Sequence, residues 1–144
     1  MDKLTWSVEI DAPKEKVWKT MLEPDTYRLW AAEFTAGSYY EGTWETGSKI
    51  KFLGPSKEGM VAEIAENRPY EYVSIKHVGF VQNDVEDRDS DEVKAWAPAY
   101  ENYIFSENSG KTLVKVDLDS IDAWKDYFNE AWPRALAKLK EICQ

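Results

Sequence analysis

The chain of 144 residues is 43% apolar and carries a net charge of −9; this length suits one domain, 1–144, that buries about 68–70% of the surface of its unfolded form. The charge repels phosphate backbones and anionic lipid, so nucleic acid is not expected as a partner, and no stretch is long and apolar enough for membrane insertion. The single cysteine, Cys143, leaves no internal disulfide and no cysteine-built metal site, no metal or cofactor is expected, and Met1-Asp2-Lys3 opens no signal-peptide pattern, so the expected compartment is the cytoplasm.

Leu4, Trp6, Val8 and Ile10 alternate with polar residues, the period of a half-buried first strand. Asp11 is placed to cap a helix that has Pro13 in its first turn, carries Val17, Trp18, Met21 and Leu22 at helical spacing, and ends near Glu23-Pro24. A second short helix is predicted over 25–32. Six strands come next, at 34–41, 48–54, 58–66, 70–82, 97–107 and 111–119, punctuated by Gly42, Gly47, Gly54-Pro55 and Asn108-Ser109-Gly110; short connections of this kind make antiparallel hairpins. The acidic segment 82–94 has no apolar period and reads as a long mobile loop, a candidate lid. Asp119 or Ser120 is placed to cap a last helix whose stripe is Ile121, Trp124, Phe128, Trp132, Ala135, Leu139 and Ile142. Pro133 inside it predicts a kink with room beneath.

The order strand, two short helices, six strands and long helix is that of an α+β helix-grip fold, an antiparallel sheet of about seven strands wrapped around a C-terminal helix. The opening Val8-Glu9-Ile10-Asp11-Ala12-Pro13-Lys14-Glu15-Lys16-Val17-Trp18, with Glu23-Pro24-Asp25-Thr26-Tyr27-Arg28-Leu29-Trp30 after it, resembles the start of the START-like superfamily, which includes the birch-pollen allergen and the polyketide cyclases. The chain looks most like the bacterial branch related to the C-terminal domain of the activator of the heat-shock-protein-ninety ATPase. Related proteins often enter the last helix through Gly-Trp; this chain has Ala123-Trp124. At the level of the fold, the resemblance implies a ligand cavity between sheet and helix and fixes no activity, because fold does not fix function.

Seven Trp and eight Tyr supply large rings with polar tips, which suit the wall of a partly wet cavity. Strand parity places Phe34, Ala36 and Tyr40 on one face, then Ile50 and Phe52, then Met60, Ala62 and Ile64. It groups Val73, Ile75, His77, Gly79 and Val81 in the fifth strand, Tyr103 and Phe105 in the sixth, and Val114, Val116 and Leu118 in the seventh. The expected ligand-contacting set is Phe34, Tyr40, Phe52, Met60, Ile64, Ile75, His77, Tyr103, Phe105, Trp124, Phe128 and Trp132, with Tyr40, His77 and Tyr103 orienting the ligand.

His77, the one histidine, is the candidate proton carrier, but no Ser or Cys falls beside it by parity, so a hydrolytic nucleophile is not expected. Asp87, Asp89 and Asp91 have the first spacings of a calcium loop, yet Glu92 stands where that loop needs Gly and Pro98 where it needs Glu, so they read as solvated. The leading expectation is a binding protein for an apolar small molecule that is lipid-, sterol- or polyketide-like. The alternatives are a co-chaperone-like module with a protein partner, which the resemblance implies, and a polyketide cyclase-like enzyme using His77.

Overall fold

The computed structural model describes residues 1–144. Its elements in chain order are β1 (Asp2–Ile10), α1 (Lys14–Leu22), α2 (Pro24–Ala31), β2 (Tyr39–Gly42), β3 (Lys49–Leu53), β4 (Glu58–Arg68) and β5 (Tyr72–Gln82). They continue with β6 (Val85–Asp87), α3 (Asp91–Lys94), β7 (Ala99–Asn108), β8 (Lys111–Ser120), a 3-10 turn at Asp122–Trp124 and α4 (Lys125–Cys143). The strands form an antiparallel sheet in the order β1-β8-β7-β5-β4-β3-β2, with β6 beside the end of β5. The fold class is the α+β helix-grip arrangement, with one strand more than the residue pattern predicts.

Alternation decides what the sheet presents to α4. Ile75 pairs with Glu101 and Ile64, Val73 with Tyr103, and Tyr103 with Val116, which faces Trp6. These cross-strand partners share the inner face, and 23 buried residues from the sheet, α1, α2 and α4 pack into one core there. Helix α4 buries Ala131, Trp132, Ala135, Leu136, Leu139 and Cys143 against it, of which Trp132, Ala135 and Leu139 belong to the predicted stripe, while Trp124, Phe128 and Ile142 are half-buried. No helix is long and apolar enough to cross a membrane.

Two register shifts interrupt the β4–β5 ladder. Val61 pairs with Gly79 but Ala62 with His77, which leaves Val78 without a partner; Ile64 pairs with Ile75 but Glu66 with Ser74, which leaves Ala65 out. An extra residue in one strand reverses the facing of everything beyond it. Phe80 therefore turns to the face of His77, and Val81, expected beside His77, turns away.

Other expectations are corrected. The second strand starts at Tyr39, not at 34, because the chain leaves α2 through successive turns (Phe34 N–H to Ala31 carbonyl, Ser38 N–H to Thr35 carbonyl) and passes Gly37 at φ +86°. The acidic segment is ordered: Asn83 and Asp84, both at positive φ, make the tight turn from β5 to β6, and Ser90 caps α3 by accepting the Val93 amide at 3.2 Å. Asn and Asp tolerate that left-handed turn. Beyond it, buried Val93, Trp96 and Ala99 form a second small core.

The caps also differ. Helix α1 begins after Pro13 without a side-chain cap of its own, and its first amide, Lys14 N–H, is taken at 2.7 Å by Glu107 from the end of β7. The Asp11 amide instead donates to Gln144 Oε1 at 2.9 Å, and Thr112 Oγ1 donates to the Ala12 carbonyl at 2.7 Å. At the other end Asp119 and Ser120 lie in β8, and neither caps α4, whose preceding residue is Trp124. Asp119 accepts the Tyr100 amide at 3.0 Å.

Candidate functional site

A cavity of about 640 Å³ lies between the inner face of the sheet, α2 and the first half of α4. Helix α2 gives it Tyr27 and Trp30, and the turns after it give Phe34, Thr35 and Ser38. The sheet supplies Phe52, Met60, His77, Phe80, Ala99, Glu101, Tyr103 and Leu118, and the far side is closed by Trp124, Tyr127, Phe128 and Trp132. Thr35, Pro55, Ser56, Glu58 and Tyr127 are exposed and form its rim.

Trp132 is the hub of the ring cluster. Its ring centroid is 4.9 Å from Phe34, 5.7 Å from Trp30, 5.8 Å from Tyr103 and 6.0 Å from Trp6, and the Trp6 ring stacks on it. Offset and edge-on contacts at these separations are favourable. The indole N–H of Trp30 donates to the Met21 carbonyl at 3.0 Å, and that of Trp6 to Asn129 Oδ1 at 3.1 Å. The polar tips of both rings are thus satisfied, and what Trp30 presents to the cavity is carbon.

One polar group of side chains interrupts this apolar lining. Glu101 lies on the inner face of β7, two residues from Tyr103. It accepts a hydrogen bond from the Tyr103 hydroxyl on one oxygen and stands 3.0 Å from His77 Nε2 through the other. The side chains of His77 and Glu101 are 6% and 15% exposed. Burial and the Glu101 charge push the Tyr103 hydroxyl well above the ordinary phenol range, and burial together with the same charge raises Tyr27; both stay protonated and Tyr103 stays a donor. With Nε2 directed at the carboxylate, the other ring nitrogen of His77, Nδ1, has no partner. The Phe52 ring packs at 5.7 Å from the imidazole.

Eight of the expected contact residues meet at this cavity: Phe34, Phe52, Met60, His77, Tyr103, Trp124, Phe128 and Trp132. Four do not line it. Ile64, Ile75 and Phe105 are sealed in the core, and the Tyr40 hydroxyl is committed to the Leu22 carbonyl at 2.5 Å, where it fastens the end of α1. Glu101 lies outside the expected set, although its parity with Tyr103 is enough to place it inside. Tyr27 and Trp30 join the site through the inner face of α2, which helical spacing can reveal, and Phe80 joins it through the bulge at Val78, which the residue pattern does not reveal.

Cys143 is buried at the end of α4, with its thiol pushed up by burial, and His77 hydrogen-bonds to a carboxylate rather than to a hydroxyl or thiol. The group can hold a proton or orient a ligand. It is not assembled for nucleophilic attack. In the acidic segment, Asp87 accepts the amides of Asp89 and Ser90 at 3.3 and 3.0 Å, so its carboxylate serves the turn into α3.

Comparison with known proteins agrees with this architecture. Among curated proteins no sequence matches. Of solved structures, MLL2253 from Mesorhizobium loti superposes with a TM-score of 0.73 at 13% identity, covering 98% of this chain and 96% of that one. The solution structure of the Aha1 dimer from Colwellia psychrerythraea gives 0.72 at 18% identity, covering 99% and 96%. CalU16 from Micromonospora echinospora gives 0.68 at 16% identity, covering 99% of this chain and 65% of that one. At these identities the likeness is one of fold. The family described as Activator of Hsp90 ATPase homolog 1-like protein matches residues 11–144, nearly the whole length including α1, the entire cavity and α4, and the chain belongs to that family.

Proposed function

We propose that the chain is a cytoplasmic binding protein that holds one mostly apolar small molecule in the cavity under α4. The observation that carries this reading is the cavity itself, about 640 Å³ of ring-lined space with one buried polar group, a size and make-up typical of small-molecule sites. Burial of apolar ligand surface, at about 25 cal/mol per Å², would drive binding, and Glu101 with Tyr103 would fix orientation.

Native mass spectra of freshly purified protein, together with thermal shifts against lipids, sterols and aromatic polyketides, test it. A defined bound mass, or a shift that Trp132→Ala abolishes, supports the reading. A bare mass with no shift across the panel overturns it.

A second reading draws on the family description and on the Aha1 relative: a module that docks on a heat-shock-protein-ninety-type ATPase, with the net negative charge steering association. Its measure is the ATPase rate of a purified chaperone of that type with and without the protein. An unchanged rate at low salt removes it. The cyclase-like reading rests on the His77–Glu101 contact and requires a proton signal of the imidazole that titrates and responds to ligand.

A further inference from the structure

The cavity is lined by rings, hydroxyls and carboxylates, and it contains no lysine or arginine able to neutralise an anion. Its lining includes Glu101, with Glu58 and Asp119 toward the outside, and neither Lys nor Arg. Glu58 accepts from Gln82 at 2.8 Å, and Asp119 has Lys3 at 3.6 Å on its outer side; neither cation nor amide enters the cavity. Even with His77 protonated, the lining would remain net negative by two charges (three carboxylates against one imidazolium).

Hydrogen-bonding capacity points the same way. A carboxylate has about four lone-pair sites, and Tyr103 and His77 occupy one on each oxygen of Glu101. The unpartnered Nδ1 of His77, a residue only 5% exposed that lines the cavity wall, is a further acceptor when Nε2 carries the proton toward Glu101. Acceptors left without donors in a buried place are completed by a ligand that brings N–H groups. Tyr103, bonded to Glu101, packs with Trp30 and Trp132 at ring centroids 5.7 to 6.4 Å apart, and the negative faces of such rings attract a cation within about 6 Å.

We propose that the ligand is an apolar molecule bearing a protonated amine, with the ammonium group on Glu101 among the Tyr103, Trp30 and Trp132 rings and the hydrocarbon or ring body under α4. This rests on the cavity-binding reading above and narrows it to one ligand class. On this assignment carboxylate lipids such as fatty acids bind poorly, since their headgroup would meet Glu101 with no lysine or arginine to pair it.

The test compares three probes with the same hydrocarbon body, dodecylamine, 1-dodecanol and dodecanoate, by calorimetry at neutral pH on the full chain. Selectivity of the wild-type protein for the amine over both others, by about tenfold or more as a buried charge-assisted hydrogen bond gives, supports the inference. Glu101→Gln keeps the shape and removes the charge, so it should cancel the preference for the amine over the alcohol. Equal binding of all three, or preference for dodecanoate, overturns the amine assignment and leaves the cavity reading standing. Binding of none overturns both. The wild-type comparison decides the matter even where Glu101→Gln does not fold.

Discussion

Buried phenols set the behaviour of single residues at high pH. Tyr103 and Tyr27 are raised above the ordinary value of 10.0 by burial, with the Glu101 charge acting in the same direction. Below that value both folded and unfolded chains hold these protons, and stability is unaffected. Above it the unfolded chain releases them while the folded chain cannot, so the unfolded state binds fewer protons and stability falls by about 1.4 kcal/mol per pH unit for each phenol. Urea unfolding midpoints measured upward from pH 9 should decline past 10, and Tyr103→Phe should remove one phenol's share of the slope. Trp132 makes the other residue-scale prediction. It is 2% exposed and touches four aromatic rings, so Trp132→Ala should cost about 3–5 kcal/mol in urea denaturation. At this scale the ring positions are legible in the sequence, because Trp132 and Tyr103 sit on faces that parity fixes. Glu101 is legible by the same parity, but a charged residue on an inner face reads as an error of phase until its two hydrogen-bond partners are seen.

Among the elements, β3 and β4 approach so closely that a Cβ on Gly59 would lie 1.8 Å from the Phe52 carbonyl oxygen, whereas one on Gly47 meets nothing within 4 Å. Gly59→Ala should therefore cost about 3 kcal/mol or more, since backbone must move. Gly47→Ala, at φ +87°, should cost about 1–2 kcal/mol for its left-handed backbone alone. Chemical denaturation of the two variants side by side checks the contrast. The second small core around Trp96 is joined to the rest through Phe80 and Trp124. Trp96→Ala should thus speed amide exchange across 83–98 well before it does so in β7 and β8. Helices and most strand positions are readable from the 3.6- and two-residue periods, but segment 82–94 is not, because its order comes from turn residues and a cap around a few buried side chains rather than from a period. The same limit applies to 34–38, where turns tie down a hydrophobic residue that reads as strand.

For the molecule as a whole, relatives at 13–18% identity keep the same architecture, as expected when face alternation rather than particular residues specifies a fold. The net charge of −9 repels itself across a small domain, so moving from low to physiological salt should raise the urea midpoint, and an unchanged or falling midpoint would show local ion pairs to dominate. The sheet has free edges at β1 and β2, and its interior rungs beyond the Val78 bulge run in opposite phase to those before it. The unpaired residue at that rung is a slack link, so the ladder on either side can close over its loss. With Val78 removed, His77–Ala62, Gly79–Val61 and Phe80–Met60 would run as consecutive pairs, and Phe80 would keep its place on the cavity wall. A one-residue deletion in the middle of this strand is thus absorbed without moving the cavity wall, a tolerance that regularly paired strands lack, because there a lost residue turns every later side chain to the other face.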